Sequence, residues 1–160
     1  MTTTPSGTAR AKNTQRRRAS VRRRGVAASS RLSLRAKAKR SVLTGTCHCG
    51  AVRIDVPRRP RMLTSCNCSI CRRYGVLWAY YRAADVHLVC KAGATQAYSW
   101  GRKALKFVRC ATCGCVMNWE RVPARKVDYM GVNARNLDPS IWGTVRIRLL
   151  DGADTWKYLN

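Results

Sequence analysis

Cys47-His48-Cys49-Gly50, Cys66-Asn67-Cys68-Ser69-Ile70-Cys71 and Cys110-Ala111-Thr112-Cys113-Gly114 hold seven of the nine cysteines of this chain and decide how it folds. Thiols two or three residues apart suit a tetrahedral metal better than a disulfide, which would be strained at such short separations. The clusters lie far apart in sequence, so a metal shared between them ties distant segments together. Cys110-x-x-Cys113-Gly114 has the form of a zinc-knuckle turn, in which glycine lets backbone N–H groups approach the sulfurs. Cys47-x-Cys49-Gly50 ends the same way. Together these two pairs make a closed four-cysteine site of the structural type.

The middle cluster is different. Cys66, Cys68 and Cys71 offer three thiols within six residues and have no obvious fourth cysteine. Three protein ligands with one open position is the arrangement of a catalytic zinc. Cys90, Cys115, His48 or His87 could still close that site and make it inert. Cys115 could also replace Cys113 in the first site, although the knuckle glycine belongs to Cys113. Cys90 is expected to be a small buried residue. His48 and His87 are expected to face solvent. An iron–sulfur cluster is disfavoured, because ferredoxin-type spacings differ.

Outward from the clusters, the chain divides in two. Residues 1–41 carry 13 Lys and Arg and no acidic residue, with Arg16-Arg17-Arg18 and Arg22-Arg23-Arg24 as blocks. Such a segment cannot bury a core and is expected to be a disordered tail. It is read as a solvated extension, a non-specific nucleic-acid tether through counterion release, or a transit peptide. A tether predicts that salt-dependent binding to duplex DNA is lost on deleting residues 1–41. Of the formal charge of +25, residues 42–160 retain 19 basic and 7 acidic side chains, or +12. Seven thiolates around two Zn²⁺ would lower that by a further three.

An odd cysteine count and tight spacing argue against a secreted disulfide scaffold. No apolar signal region or 18-residue apolar run occurs, so no secretory signal or membrane span is expected. A reducing, cytoplasmic setting suits the thiols best. Residues 42–160 form one expected domain, small enough for metal to contribute much of its stability.

Within that domain the signals are short and β-like. Residues 51–56 alternate apolar and polar, the mark of a half-buried strand, and residues 47–50 look like a hairpin turn. Further strands are expected at 42–46, 76–81, 86–90, 96–100, 105–109, 116–119, 127–132 and 145–150. Turn signals include Gly101-Arg102, Asp138-Pro139-Ser140 and Asp151-Gly152. Only residues 69–74 suggest a helical turn. The fold class is all-β, several small antiparallel sheets joined by zinc knuckles.

The clusters, with their flanks Gly45-Thr46, Ala51-Val52, Arg72-Arg73-Tyr74-Gly75, Arg109 and Cys115, resemble the glutathione-dependent formaldehyde-activating enzyme family, which includes the globular domain of centromere protein V. The resemblance implies an Mss4-like β-tent with two zincs per chain: a structural one on Cys47, Cys49, Cys110 and Cys113, and a second on Cys66, Cys68 and Cys71 near the substrate. It also implies condensation of a thiol, glutathione, with formaldehyde, a carbon–sulfur lyase reaction in reverse. After the third cluster, similar sequences often read Cys-Val-Thr-His-Trp, where this chain has Cys115-Val116-Met117-Asn118-Trp119. Asparagine cannot carry a proton at neutral pH as histidine does, which puts a base at this position in doubt. Catalysis is expected at Cys66, Cys68 and Cys71. Arg72 and Arg73 are candidates to receive the carboxylates of an anionic thiol, against plain surface solvation. Trp78, Tyr80 and Trp119 are candidates to wall the pocket, against simple core packing. The rival to an enzyme is a zinc-scaffolded binding module tethered to nucleic acid by its tail.

Overall fold

A computed structural model describes residues 42–123 and 128–160; the basic segment 1–41, and with it the tail expected there, lies outside the described residues. Ten strands and two short helices follow in order. They are β1 (Leu43–Thr46), β2 (Val52–Val56), β3 (Leu63–Cys66), α1 (Ser69–Tyr74), β4 (Trp78–Arg82), β5 (His87–Cys90), β6 (Thr95–Tyr98), β7 (Leu105–Cys110), β8 (Val116–Arg121), β9 (Tyr129–Asn133), α2 (Pro139–Trp142) and β10 (Ile147–Leu150). The strands form two sheets: an antiparallel one of order β1-β2-β5, and a seven-stranded one of order β10-β3-β4-β9-β8-β7-β6. The all-β expectation and its β-tent architecture hold. The sheets differ from small antiparallel units in one respect, because β10 pairs with β3 in parallel.

The larger sheet buries both faces. On one, Val52, Ile54 and Val56 of the small sheet pack with Ala79, Tyr81, Met117, Met130 and Val132. On the other, α1 and the middle cysteine cluster pack with Trp78, Phe107 and Val116. Gly45 of β1 lies tight against the turn that follows β9, since a Cβ there would meet the Asn136 carbonyl oxygen at 2.7 Å.

A bulge in β8 decides what faces the second core. Val108 pairs with Asn118 and Arg109 with Val116, leaving Met117 as an extra residue. One extra residue reverses the alternation of a strand. Val116 and Trp119, three apart, therefore share the face of the cysteine cluster, while Met117 joins the opposite core.

Two elements escaped the sequence pattern, and one strand ends early. β3 was missed because Leu63-Thr64-Ser65-Cys66 lacks alternation and is buried at three of its four residues. The Asp138-Pro139-Ser140 turn signal opens a helix: Asp138 accepts a hydrogen bond from the Ser140 N–H, and Pro139 stands in the first turn. Residues 96–100 extend only to Tyr98, and Trp100 lies in the following turn. Cys90, expected to be buried, is exposed, because it ends β5, an edge strand of the small sheet. His48 and His87 are exposed as expected.

Candidate metal centres and active site

The first centre joins the two sheets. Cys47 and Cys49 lie on the β1–β2 hairpin of the small sheet; Cys110 ends β7 and Cys113 lies on the β7–β8 hairpin of the large one. Their four sulfurs lie within 4.8 Å of one another. The Cys47–Cys49 and Cys49–Cys110 sulfur separations are both 3.6 Å. A tetrahedron with metal–sulfur bonds of about 2.3 Å has edges of about 3.8 Å, so the donor set fits such an ion.

Both turns bend through a glycine in the left-handed region, Gly50 at φ 77° and Gly114 at φ 74°. The Gly50 N–H then donates to the Cys47 carbonyl and the Gly114 N–H to the Cys110 carbonyl. Other amides turn to the sulfurs: the Val52 N–H donates to Cys47 Sγ at 3.3 Å. At Cys113 the backbone N–H groups of Cys115 and Cys49 draw the thiol down to about 5. The Cys113 N–H lowers Cys110 likewise. Such N–H donors stabilise thiolate, the form a metal binds. Cys115 is half-buried beside this site and is not among its four converging sulfurs.

The second centre is built where β3 ends. Cys66 closes the strand, Cys68 precedes α1 and Cys71 stands in its first turn, and their sulfurs also lie within 4.8 Å of one another. Among the described residues no fourth His, Cys, Asp or Glu joins them, so none of the four candidate closing residues does. Burial pushes the Cys66 and Cys71 thiols up. At Cys68 burial acts the same way, but the N–H of Cys71 and the neighbouring sulfurs outweigh it and the net shift is downward. The buried Trp78 indole donates Nε1–H to Cys71 Sγ at 3.2 Å.

The parallel strand β10 sets Leu150 abreast of Cys66 and delivers a strap, residues 151–156, over the cluster. Asn67 Nδ2 donates to Asp151 Oδ1 at 2.8 Å, and the Ala153 N–H donates to Asn67 Oδ1 at 2.9 Å. Gly152 lies so close that a Cβ there would stand 2.4 Å from Cys66 Sγ. The sequence showed Asp151-Gly152 as a turn, and nothing in it signalled contact with Cys66. Gly152→Ala is expected to weaken metal binding at this centre about 10- to 100-fold, the range for displacing a ligand's supporting contacts. Competition with a chromogenic chelator measures it, and an unchanged second affinity would refute the contact.

A cavity of about 600 Å³ opens on the three cysteines and is walled by Trp78, Tyr80, Phe107, Trp119, Leu150 and Trp156, with Trp100 and Arg102 at one side. Tyr80 and Trp119 meet edge to face across Gly131, their ring centres 6.0 Å apart. A Cβ on Gly131 would meet the Trp119 indole at 2.0 Å. Gly131→Ala should push Trp119 off the wall and cost about 1–3 kcal/mol, seen as a lower Tm and altered near-ultraviolet dichroism. Burial raises the Tyr80 hydroxyl to about 12, against a hydrogen bond with Thr64, so it stays protonated.

Trp78 thus lines the cavity, as expected of a pocket wall, and is also buried. Arg72 instead lines a second hollow of about 400 Å³, together with Asn67 and Arg135. Arg73 donates to the Ser69 carbonyl at 2.7 Å. Among the described residues the cation that lines the aromatic cavity is Arg102, which the sequence offered only as part of a turn. Asn118 is buried on the opposite face of the sheet, in register with Val132 and so with Ala79. A base at position 118 would face the inter-sheet core and not the cavity.

The sequence model of the family described as glutathione-dependent formaldehyde-activating enzyme matches residues 42–147. Among solved structures, a crystal structure of a Rhodobacter sphaeroides protein is similar at 34% identity and a TM-score of 0.55, covering 66% of this chain and 99% of that one. No curated protein matches. The family match spans both hairpins and the middle cluster. The chain belongs to the glutathione-dependent formaldehyde-activating enzyme family.

Proposed function

We propose that this protein is a zinc enzyme that condenses a thiol such as glutathione with formaldehyde or another small aldehyde, a carbon–sulfur lyase reaction run in the joining direction. The observation that carries this reading is the three-thiol cluster at the cavity floor without a fourth protein donor among the described residues. A zinc bound there would leave a corner free for a substrate thiol and lower its pKa, holding it as thiolate. Three cysteine thiolates would outweigh a charge of +2, so an ion held by Cys66, Cys68 and Cys71 would be a weak Lewis acid and would serve to present the nucleophile.

The chain's own residues supply the rest. The Trp78 N–H on Cys71 spreads negative charge from that sulfur and fixes its direction. Thiolate sulfur attacks the aldehyde carbon, a C–S bond forms, and the carbonyl electron pair moves to oxygen. That oxygen takes up the proton the thiol gave off, yielding a hemithioacetal. Tyr80, protonated on the cavity wall, is the donor placed to meet the developing oxyanion. Arg72 and Arg135, lining the neighbouring hollow, receive the carboxylates of an anionic thiol.

Exchange spectroscopy by NMR on glutathione and formaldehyde tests the reading. Native protein is expected to raise the exchange rate above buffer, and a zinc chelator to abolish the gain. A rate equal to buffer would remove the enzymatic reading.

A further inference from the structure

Formaldehyde has one carbon, yet the cavity beside the second centre measures about 600 Å³, a size that holds drug-like ligands. Its walls are mostly aromatic: Tyr80, Trp100, Phe107, Trp119 and Trp156. Among the described residues Arg102 is the one Lys, Arg, Asp or Glu that lines it. Large apolar side chains also stand open to solvent at this site, Trp100 at 47% and Trp156 at 70% exposure. Exposed indoles around a concave apolar surface are the mark of a ligand site.

The backbone adds an independent sign. Trp156 has φ 57°, a left-handed conformation that bulky residues rarely adopt. Its strap is tied down. The Trp156 N–H donates to the Asp151 carbonyl at 2.7 Å, and Asp151 Oδ2 accepts from the Thr155 N–H and hydroxyl at 3.1 and 2.8 Å. Strain of this kind persists where surroundings over-determine it, typically at ligand clamps. Here it holds an exposed indole toward the cavity, where burial gains the fold little. Across the sheet, Gly131 gives up its side chain so that Trp119 can lie in the wall. The strap lies beyond the residues 42–147 that match the family model.

We infer that the aldehyde taken by this site carries a flat aromatic body, seated among Trp119, Trp156 and Tyr80 with its carbonyl toward Cys66, Cys68 and Cys71. The inference rests on the proposed thiol–aldehyde condensation for its chemistry. The bond made is the same, a C–S bond to the aldehyde carbon, with the thiol proton passing to the former carbonyl oxygen.

Binding separates the two ideas, because thioethers bind without reacting. Tryptophan fluorescence titrations with S-benzylglutathione and S-methylglutathione are expected to show the benzyl ligand bound about tenfold or more tightly, the scale of one well-stacked ring. Trp156→Ala should remove most of that preference and Trp156→Phe should keep most of it; Trp100→Ala gives a second test should the strap fail to fold. Equal binding of the two ligands, no binding of either, or an unaltered preference in Trp156→Ala would overturn the inference. A benzyl preference in a protein that accelerates condensation of neither formaldehyde nor benzaldehyde would uphold the aromatic seat and defeat the proposed reaction.

Discussion

Cys110→Ser is expected to leave no cooperatively folded protein at room temperature. Cys110 is buried at the end of β7, and its sulfur lies 3.6 Å from that of Cys49 on the hairpin of the other sheet. The four-cysteine centre is thus the link between the three-stranded and seven-stranded sheets. Structural zinc in small domains contributes about 10–16 kcal/mol at neutral pH, whereas whole domains are stable by only about 5–15 kcal/mol. A serine hydroxyl does not replace a thiolate ligand, so much of the binding energy goes, and the sheets keep only the inter-sheet core. That core includes Val52, Ile54, Ala79 and Val132, beside an isolated bridge from Gly45 to Leu137. Circular dichroism and thermal melting read the outcome. A Cys110→Ser melt within a few degrees of the native one would show that hydrophobic packing alone joins the sheets.

Cys68→Ser is expected to do the reverse, sparing the fold and abolishing the reaction. Cys68 lies between β3 and α1, on the outer face of the large sheet, and joins no second sheet. Its loss breaks the three-thiol set and should reduce bound zinc by one per chain. The Ala153 N–H bond to Asn67 and the parallel pairing of β3 with β10 remain to hold the loop. Thiol–aldehyde condensation should then fall to the uncatalysed rate, a loss of at least about 100-fold if ligand changes exceed the 10- to 100-fold typical of supporting residues. A variant that keeps the native rate would place the chemistry elsewhere. A variant that unfolds as Cys110→Ser does would make the second cluster structural as well.

The grouping of the cysteines into four and three was legible in the sequence, because it depends on ligand spacing and on the glycines that close each knuckle. Most strands were legible too, since alternation and turn residues are local. The cavity was not, for reasons visible in single residues. Trp119 faces it only because Met117 is an extra residue in β8, and a bulge of that kind leaves no trace in a simple alternation. Gly131 and Gly152 look like ordinary glycines; their absence of a side chain matters because Trp119 and Cys66 occupy the space. Trp156 and Gly152 reach the site through a parallel pairing between strands about eighty residues apart, a long-range contact that no local pattern encodes. Arg72 and Arg73 were legible only as a choice between carboxylate receivers and solvated surface, because nothing local shows that α1 sets Arg72 in a neighbouring hollow and Arg73 against the Ser69 carbonyl.

Metal content per chain, measured together with thiol-dependent exchange, tests most directly whether the cysteines divide into a closed set of four and an open set of three. Native protein is expected to hold two zincs, one inert until the fold is lost and one that exchanges or accepts added thiol, with Cys68→Ser retaining the inert ion alone. A single zinc in the native chain, or two that are equally inert to thiol, would contradict that division.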